Sequence, residues 1–211
     1  MNLRYVVTGT DTGIGKTIFS AALSGALGAY YWKPVQAGLV EETDSQTVHR
    51  LSGIPSARIL PEAYRLATPA SPHLSAYLDG VTIDPARLVP PERQAPVVIE
   101  GAGGLLVPLS EDLLFADLFA LWQIPTILCT RTSLGTINHT LLSIEAMKHR
   151  AIPLFGIVFI GGENLETQRI IAKISGARVL GRLPWIAEMN HDALHRVFEQ
   201  TFDLSSFTED L

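Results

Sequence analysis

The sequence predicts an α/β protein built on a doubly wound, mostly parallel sheet flanked by helices, and three observations carry that expectation. Short apolar β-like runs alternate with amphipathic helical patterns along most of the chain, the rhythm of strand–helix–strand units. Two of the runs, Val97-Val98-Ile99 and 154–160, are apolar almost throughout, as strands covered on both faces are. The first run ends in a glycine-rich turn, Gly9-Thr10-Asp11-Thr12-Gly13-Ile14-Gly15-Lys16-Thr17, which leads into a helical pattern. Strand, glycine turn and Lys-Thr at a helix start form the setting of a phosphate loop, so the fold is of the P-loop NTPase type.

In chain order, strands are expected at 3–8, 29–33, 97–100, 125–130, 154–160 and 179–183. Helices are expected at 18–27, 112–122, 136–150 and 165–174. The first helix carries Ile18, Phe19, Ala22, Leu23 and Ala26 on one stripe, the helical period. Helix 136–150 places Leu141, Ile144 and Met147 on one face, with Lys148 and Arg150 near the negative end of its dipole. The segment 53–96 breaks the rhythm. It holds eight prolines, which leave only short helices and turns. Recurring Leu, Tyr and Ile argue for an insertion packed over the sheet edge within one domain spanning 1–211. The tail from His191 mixes Leu, Val and Phe with charges and suits a helix.

A chain of 211 residues can build one large core. A net charge of −5 without a Lys/Arg cluster argues against a nucleic-acid partner. The one cysteine, Cys129, lies in an apolar run, which excludes an internal disulfide and suits inert burial in a reducing compartment. No apolar run reaches the ~18–20 residues of a membrane span, and no signal peptide precedes the first strand. A soluble, cytoplasmic protein is expected.

In such sheets the chemistry lies beyond the carboxyl ends of the strands. Backbone N–H groups from Thr12, Gly13, Ile14 and Gly15 onward would face phosphate at a positive helix end. Lys16 would reach the β/γ-phosphates, and the Thr17 hydroxyl would take a place on Mg²⁺. Gly9 lies one residue too early for the strict motif, whose first glycine would stand at Thr10. Glu100 ends a buried strand ahead of Gly101-Ala102-Gly103-Gly104, the usual place of a second metal anchor. Asp44 precedes a helical stretch and suits either a metal or a helix N-cap. Lys33 ends the second strand, where a fixed cation would stabilise charge developing in phosphoryl transfer. His73 and His139 have no zinc-like spacing and suit structural hydrogen bonds.

Six segments occur in one order: the loop 9–17, Lys33-Pro34-Val35-Gln36, Ser71-Pro72-His73, 100–104, Leu134-Gly135-Thr136-Ile137-Asn138-His139 and Leu183-Pro184-Trp185. Together they closely resemble the dethiobiotin synthetase family, over nearly the whole chain, and that family's loop carries the extra residue seen here. The resemblance implies a homodimeric ligase that joins CO2 to 7,8-diaminononanoate with MgATP, releasing ADP and phosphate. A carbamate would be phosphorylated to a carbamic–phosphoric anhydride, and the neighbouring amine would close the ring. It implies Lys33 and Lys16 as catalytic, and Thr17, Asp44 and Glu100 as holders of Mg²⁺. Nucleotide contacts would extend over Gly101, Ala102, Gly103, Pro184, Trp185 and Ile186. Substrate contacts would come from Lys33, Ala37 and, across the dimer interface, Gly135, Thr136, Ile137 and Asn138.

The chain departs from the family pattern at three places. Gly13 stands where Glu is frequent, Ala37 where a hydroxyl is usual, and Ile160 where Asn usually reads adenine. Asn164 lies close enough in sequence to substitute for that reader. A nucleotide-switch ATPase of the partitioning or site-selection type would share the fold. It would need a second lysine at the loop's start, where Thr8, Thr10 and Thr12 stand. A nucleotide-binding domain without turnover is the other alternative.

Overall fold

A computed structural model of the protein describes residues 3–208. The chain begins with β1 (Arg4–Gly9), α1 (Lys16–Leu27), β2 (Tyr30–Trp32), β3 (Val35–Ala37) and α2 (Asp44–Ser52). It continues with β4 (Ile59–Leu60), β5 (Tyr64–Leu66), α3 (Pro72–Leu78), β6 (Val97–Glu100), α4 (Phe115–Trp122) and β7 (Thr126–Arg131). It ends with α5 (Thr136–His149), β8 (Leu154–Ile160), α6 (Leu165–Ser175), β9 (Val179–Leu183) and α7 (His191–Thr201).

Seven strands form one sheet in the order β4-β2-β6-β1-β7-β8-β9, and each neighbouring pair is parallel. From β1 the chain winds to β2 on one side, returns to β6, and then crosses to β7 on the other side of β1. That reversal opens a crevice at the carboxyl end of β1, where ligands bind in such folds. Strand side chains alternate between two cores. Val6, Ile99, Leu128 and Phe159 face one, while Val7, Val98, Ile127 and Val158 face the other. Phe19 of α1, Val48 of α2 and Phe198 of α7 cover the second face. Ala76 of α3, Phe119 of α4, Met147 of α5 and Ile171 of α6 cover the first. Helices on both faces leave the two strand ends as the open surfaces, and the carboxyl end carries the site. Among the described residues no helix is long and apolar enough to cross a membrane.

The structure corrects several expected boundaries. The segment 53–96 does more than pack over an edge. Ile59 and Leu60 pair with Tyr31 and Trp32, adding β4 to the main sheet, and β5 pairs with β3 in a separate two-stranded sheet. Strands of two and three residues are too short for periodicity to reveal. The helix expected from 112 begins at Phe115, because the Asp117 carboxylate accepts the Leu114 N–H at 2.8 Å and closes the N-terminus there. On α5 the buried stripe is Thr136, Thr140, Ile144 and Met147; Leu141 is only half-buried.

Candidate active site

The phosphate loop connects β1 to α1, with Gly15 at φ 100° as the N-cap of the helix. Glycine suits that left-handed geometry, which a Cβ would strain. Gly9 is glycine for another reason: a Cβ there would lie 2.4 Å from Ile14 Cδ1. The off-register glycine is therefore a packing requirement of this loop. Gly101 N–H donates to Val7 O and Leu105 N–H to Gly9 O, which fastens the glycine segment after β6 beside the loop.

Around the loop lies a cavity of ≈ 600 Å³, within the size range of small-molecule sites. Its walls bring together Lys16 and Thr17 of the loop, Lys33 after β2, Asp44 at the start of α2, and Glu100 at the end of β6. The Thr17 hydroxyl lies 2.9 Å from Asp44 Oδ1 and 2.9 Å from Glu100 Oε1. One hydroxyl proton serves one of these at a time. Lys33 Nζ lies 2.6 Å from Asp44 Oδ2 and 3.1 Å from Glu100 Oε1, and donates to Gly101 O at 2.9 Å. Its three donors thus have three partners. Glu100 Oε2 accepts the Tyr31 hydroxyl at 2.9 Å.

Lys33 is 3% exposed and Glu100 1%. Buried charges of this kind persist only when paired and fully hydrogen-bonded. Burial works against the Lys33 charge, but Glu100 and Asp44 outweigh it and raise its pKa above the ordinary lysine value. Burial also opposes the Asp44 charge, yet the Lys33 ammonium and its hydrogen bond hold that carboxyl below its usual range. Lys16 behaves differently. Burial, then repulsion from Lys33, lowers its pKa, and its ammonium rests on Asp11 O at 2.8 Å.

Asp44 is not the helix cap. Thr43 caps α2, its Oγ1 accepting Gln46 N–H at 3.3 Å, which leaves the Asp44 carboxylate free to face Thr17 and Lys33. The Gln36 side chain steadies this turn by accepting Asp44 N–H at 3.1 Å. Tyr31 and Gln36 are the partners that sequence reasoning assigned no role. Tyr31 lies within an apolar strand, and nothing in that run marks its hydroxyl. Ala37 lines the same cavity, and so does Ser71, whose Oγ meets His73 Nδ1.

Other expected residues lie outside the cavity. Gly135, Ile137 and Asn138 are exposed at the start of α5. Thr136 turns inward: its hydroxyl meets Thr130 Oγ1 at 2.7 Å and Arg131 O at 2.7 Å, and its N–H donates to Ser133 O. The Thr136 side chain therefore braces α5. Pro184, Trp185 and Ile186 follow β9, and Trp185 is 76% exposed beside Gly161. Ile160 is buried, 3.0 Å from where a Cβ on Gly15 would stand. It supports the loop from beneath. Asn164 caps α6 through Thr167 N–H at 3.1 Å and donates to Thr132 O at 3.3 Å, so its amide is engaged in the fold. His73 meets Ser71 Oγ at 3.1 Å, a local structural contact. Cys129 is fully buried, which pushes its thiol pKa up.

A family model described as an AAA domain matches residues 4–193. The chain is 68% identical to a protein named ATP-dependent dethiobiotin synthetase from Agrobacterium fabrum, with 99% of each chain covered. A protein of the same name from Rhodopseudomonas palustris is 62% identical, over 100% of this chain and 99% of that one. Among solved structures, a ParA family ATPase from Chlorobium tepidum aligns with a TM-score of 0.54 at 13% identity, covering 97% of this chain and 92% of that one. A MinC:MinD complex from Aquifex aeolicus gives 0.50 at 12%, covering 92% and 85%. At that identity the two structures share the fold alone.

Proposed function

The chain belongs to the ATP-dependent dethiobiotin synthetase family, and from that premise we propose that it carboxylates 7,8-diaminononanoate with CO2 and closes the ring at the expense of ATP. The observation that carries this reading is the convergence of Lys16, Thr17, Lys33, Asp44 and Glu100 on one cavity. A bare nucleotide-binding domain has no need of a buried Lys33 paired with buried Glu100 and partly exposed Asp44.

The Thr17 hydroxyl with the Asp44 and Glu100 carboxylates suits Mg²⁺, which takes few protein ligands and completes its shell with phosphate and water. When bound, that ion would screen phosphate charge. Lys16 would leave Asp11 O for the β/γ-phosphates, whose charge restores the proton affinity that burial removes. Lys33 would hold its proton throughout, because Asp44 and Glu100 raise its pKa, and would stabilise negative charge on the carbamate and the transferred phosphoryl group. Asp44, held ionised, serves as a cation holder rather than a proton acceptor. The loop, Gly101, Ala102, Gly103 and the 184–186 turn form the nucleotide side of this reading; Ala37 and Lys33 form the substrate side.

Gly135, Ile137 and Asn138 lie exposed and outside the Lys33 cavity. That supports a homodimer in which α5 of a second copy receives the substrate carboxylate at its positive end. The reading takes the whole chain as one domain, acting in the cytoplasm, where the lone thiol of Cys129 stays reduced.

The test is direct. Purified protein with MgATP, bicarbonate and diaminononanoate is expected to give dethiobiotin by mass, with one ADP per product. ATP hydrolysis indifferent to the diamine would instead mark a nucleotide switch, and binding without turnover an inactive domain.

A further inference from the structure

Arg131 ends β7 beside the phosphate loop but does not line its cavity. Its Nη2 donates to Thr12 O at 2.9 Å, and its Nη1 lies 3.8 Å from Asp11 Oδ2. The contact with Asp11 joins two half-exposed side chains and contributes little by itself. The contact with Thr12 O has a sharper consequence. No peptide among the described residues is cis, and a trans peptide points its carbonyl and its N–H in opposite directions. By holding the Thr12 carbonyl outward, Arg131 turns the Gly13 N–H toward the cavity that Gly13 lines.

The preceding peptide is fixed in the opposite sense. Lys16 Nζ takes Asp11 O at 2.8 Å, and the Asp11 carboxylate takes Thr12 N–H at 2.7 Å. Two consecutive peptides are therefore set in alternate directions, one by Lys16 and Asp11, the other by Arg131. Gly13 has φ 65°, a value that a glycine adopts readily and that other residues reach with strain. A glycine is also free to rotate away, so an external clamp on its peptide has work to do. Arg131 meets this need with a planar fork that loses little freedom per hydrogen bond formed.

We propose that Arg131 is a positioning residue for the phosphate cradle, presetting the Gly13 N–H to receive an oxygen of the β/γ-phosphates. The proposal deepens the nucleotide reading and rests on it. It also gives a physical role to the glycine at position 13, which the sequence left unexplained.

The experiment compares wild type with Arg131→Ala by calorimetric titration of MgATP, by steady-state kinetics, and by melting of the nucleotide-free protein. Losing one charge-assisted hydrogen bond is expected to weaken MgATP about tenfold. The KM for diaminononanoate should move less than about twofold, since that molecule does not meet the cradle. The melting temperature without nucleotide should match wild type, and guanidinium at tens of millimolar should restore part of the lost MgATP affinity to the variant alone. Unchanged MgATP affinity would overturn the proposal. So would a loss accompanied by equal destabilisation of the nucleotide-free protein and no rescue, which would make Arg131 a structural brace only. If wild type itself fails to bind MgATP, the nucleotide reading falls first and this inference with it.

Discussion

On the proposed reading, the phosphate side and the base side of the crevice are built to different standards. On the phosphate side, Lys33 is 3% exposed and has three partners, and both Glu100 oxygens are engaged. On the base side, Ile160 is buried as a prop for the loop and Trp185 is 76% exposed. Asn164 spends its amide on capping α6. Chemistry needs charges held in place before the reaction; an aromatic surface for a base needs only to be present. If the proposed site is right, the contrast teaches that this chain fixes what the nucleotide does more tightly than which nucleotide it takes.

The largest effect should come from the phosphate side. Lys33→Ala should lower kcat by ~10²–10³, and because it leaves Glu100 buried without its cation it should also cost about 3–5 kcal/mol of stability. Steady-state kinetics with urea unfolding measures both. A variant with normal kcat would remove Lys33 from the chemistry and erase the contrast. Tyr31→Phe should cost about 1–3 kcal/mol by leaving Glu100 Oε2 without its donor. It should also weaken Mn²⁺ binding, read by electron paramagnetic resonance in the presence of nucleotide. An unchanged Mn²⁺ affinity would mean that Tyr31 supports the fold without positioning Glu100.

The pH dependence follows from the same pairing. Asp44 has a depressed pKa when folded, so its contribution is present above the unfolded value of ~3.9 and is lost as pH falls through the lower folded value. Lys33 has a raised pKa, so its contribution is present below ~10.4 and is lost as pH rises through the higher folded value. The stability difference between wild type and Asp44→Asn, which leaves Lys33 paired with Glu100, should thus be flat between about pH 5 and 9. A difference that changes steadily across that window would contradict the pairing. The smallest effect belongs to the base side. Asn164→Ala should cost ~1 kcal/mol, the value of a helix cap, with nucleotide preference unchanged. A changed preference would make Asn164 a reader of the base after all.

Much of the phosphate side was legible because each group stands where a regular element ends. Lys33 follows a strand, Glu100 ends one, Thr17 lies in the first turn of a helix, and Asp44 opens another. What stayed hidden shares one physical reason, since the partners meet only in three dimensions. The Tyr31 hydroxyl finds Glu100, Gln36 finds the Asp44 N–H, and Arg131 finds a backbone carbonyl in the loop after the neighbouring strand. The small sheet of β3 and β5 was missed because three-residue strands carry no period. Thr130 and Thr140 drew no role from the sequence and Thr136 was expected to touch substrate, yet their hydroxyls form one buried chain. That chain accounts for a helix stripe that is polar at its beginning. Base selection was least legible, because the positions that would carry it, Ile160 and Asn164, are taken up by packing and capping.

The measurement that tests the contrast most directly is kcat/KM for ATP, CTP and GTP under one Mg²⁺ concentration. A site that hydrogen-bonds its ligand's edge rejects analogues by ~10⁴–10⁵, whereas apolar contact discriminates by ~10–200. With no engaged reader of the base, ATP is expected to lead by less than about 10². A preference above about 10³ would contradict the account, in which Ile160 offers no polar group and the Asn164 amide is engaged in the fold.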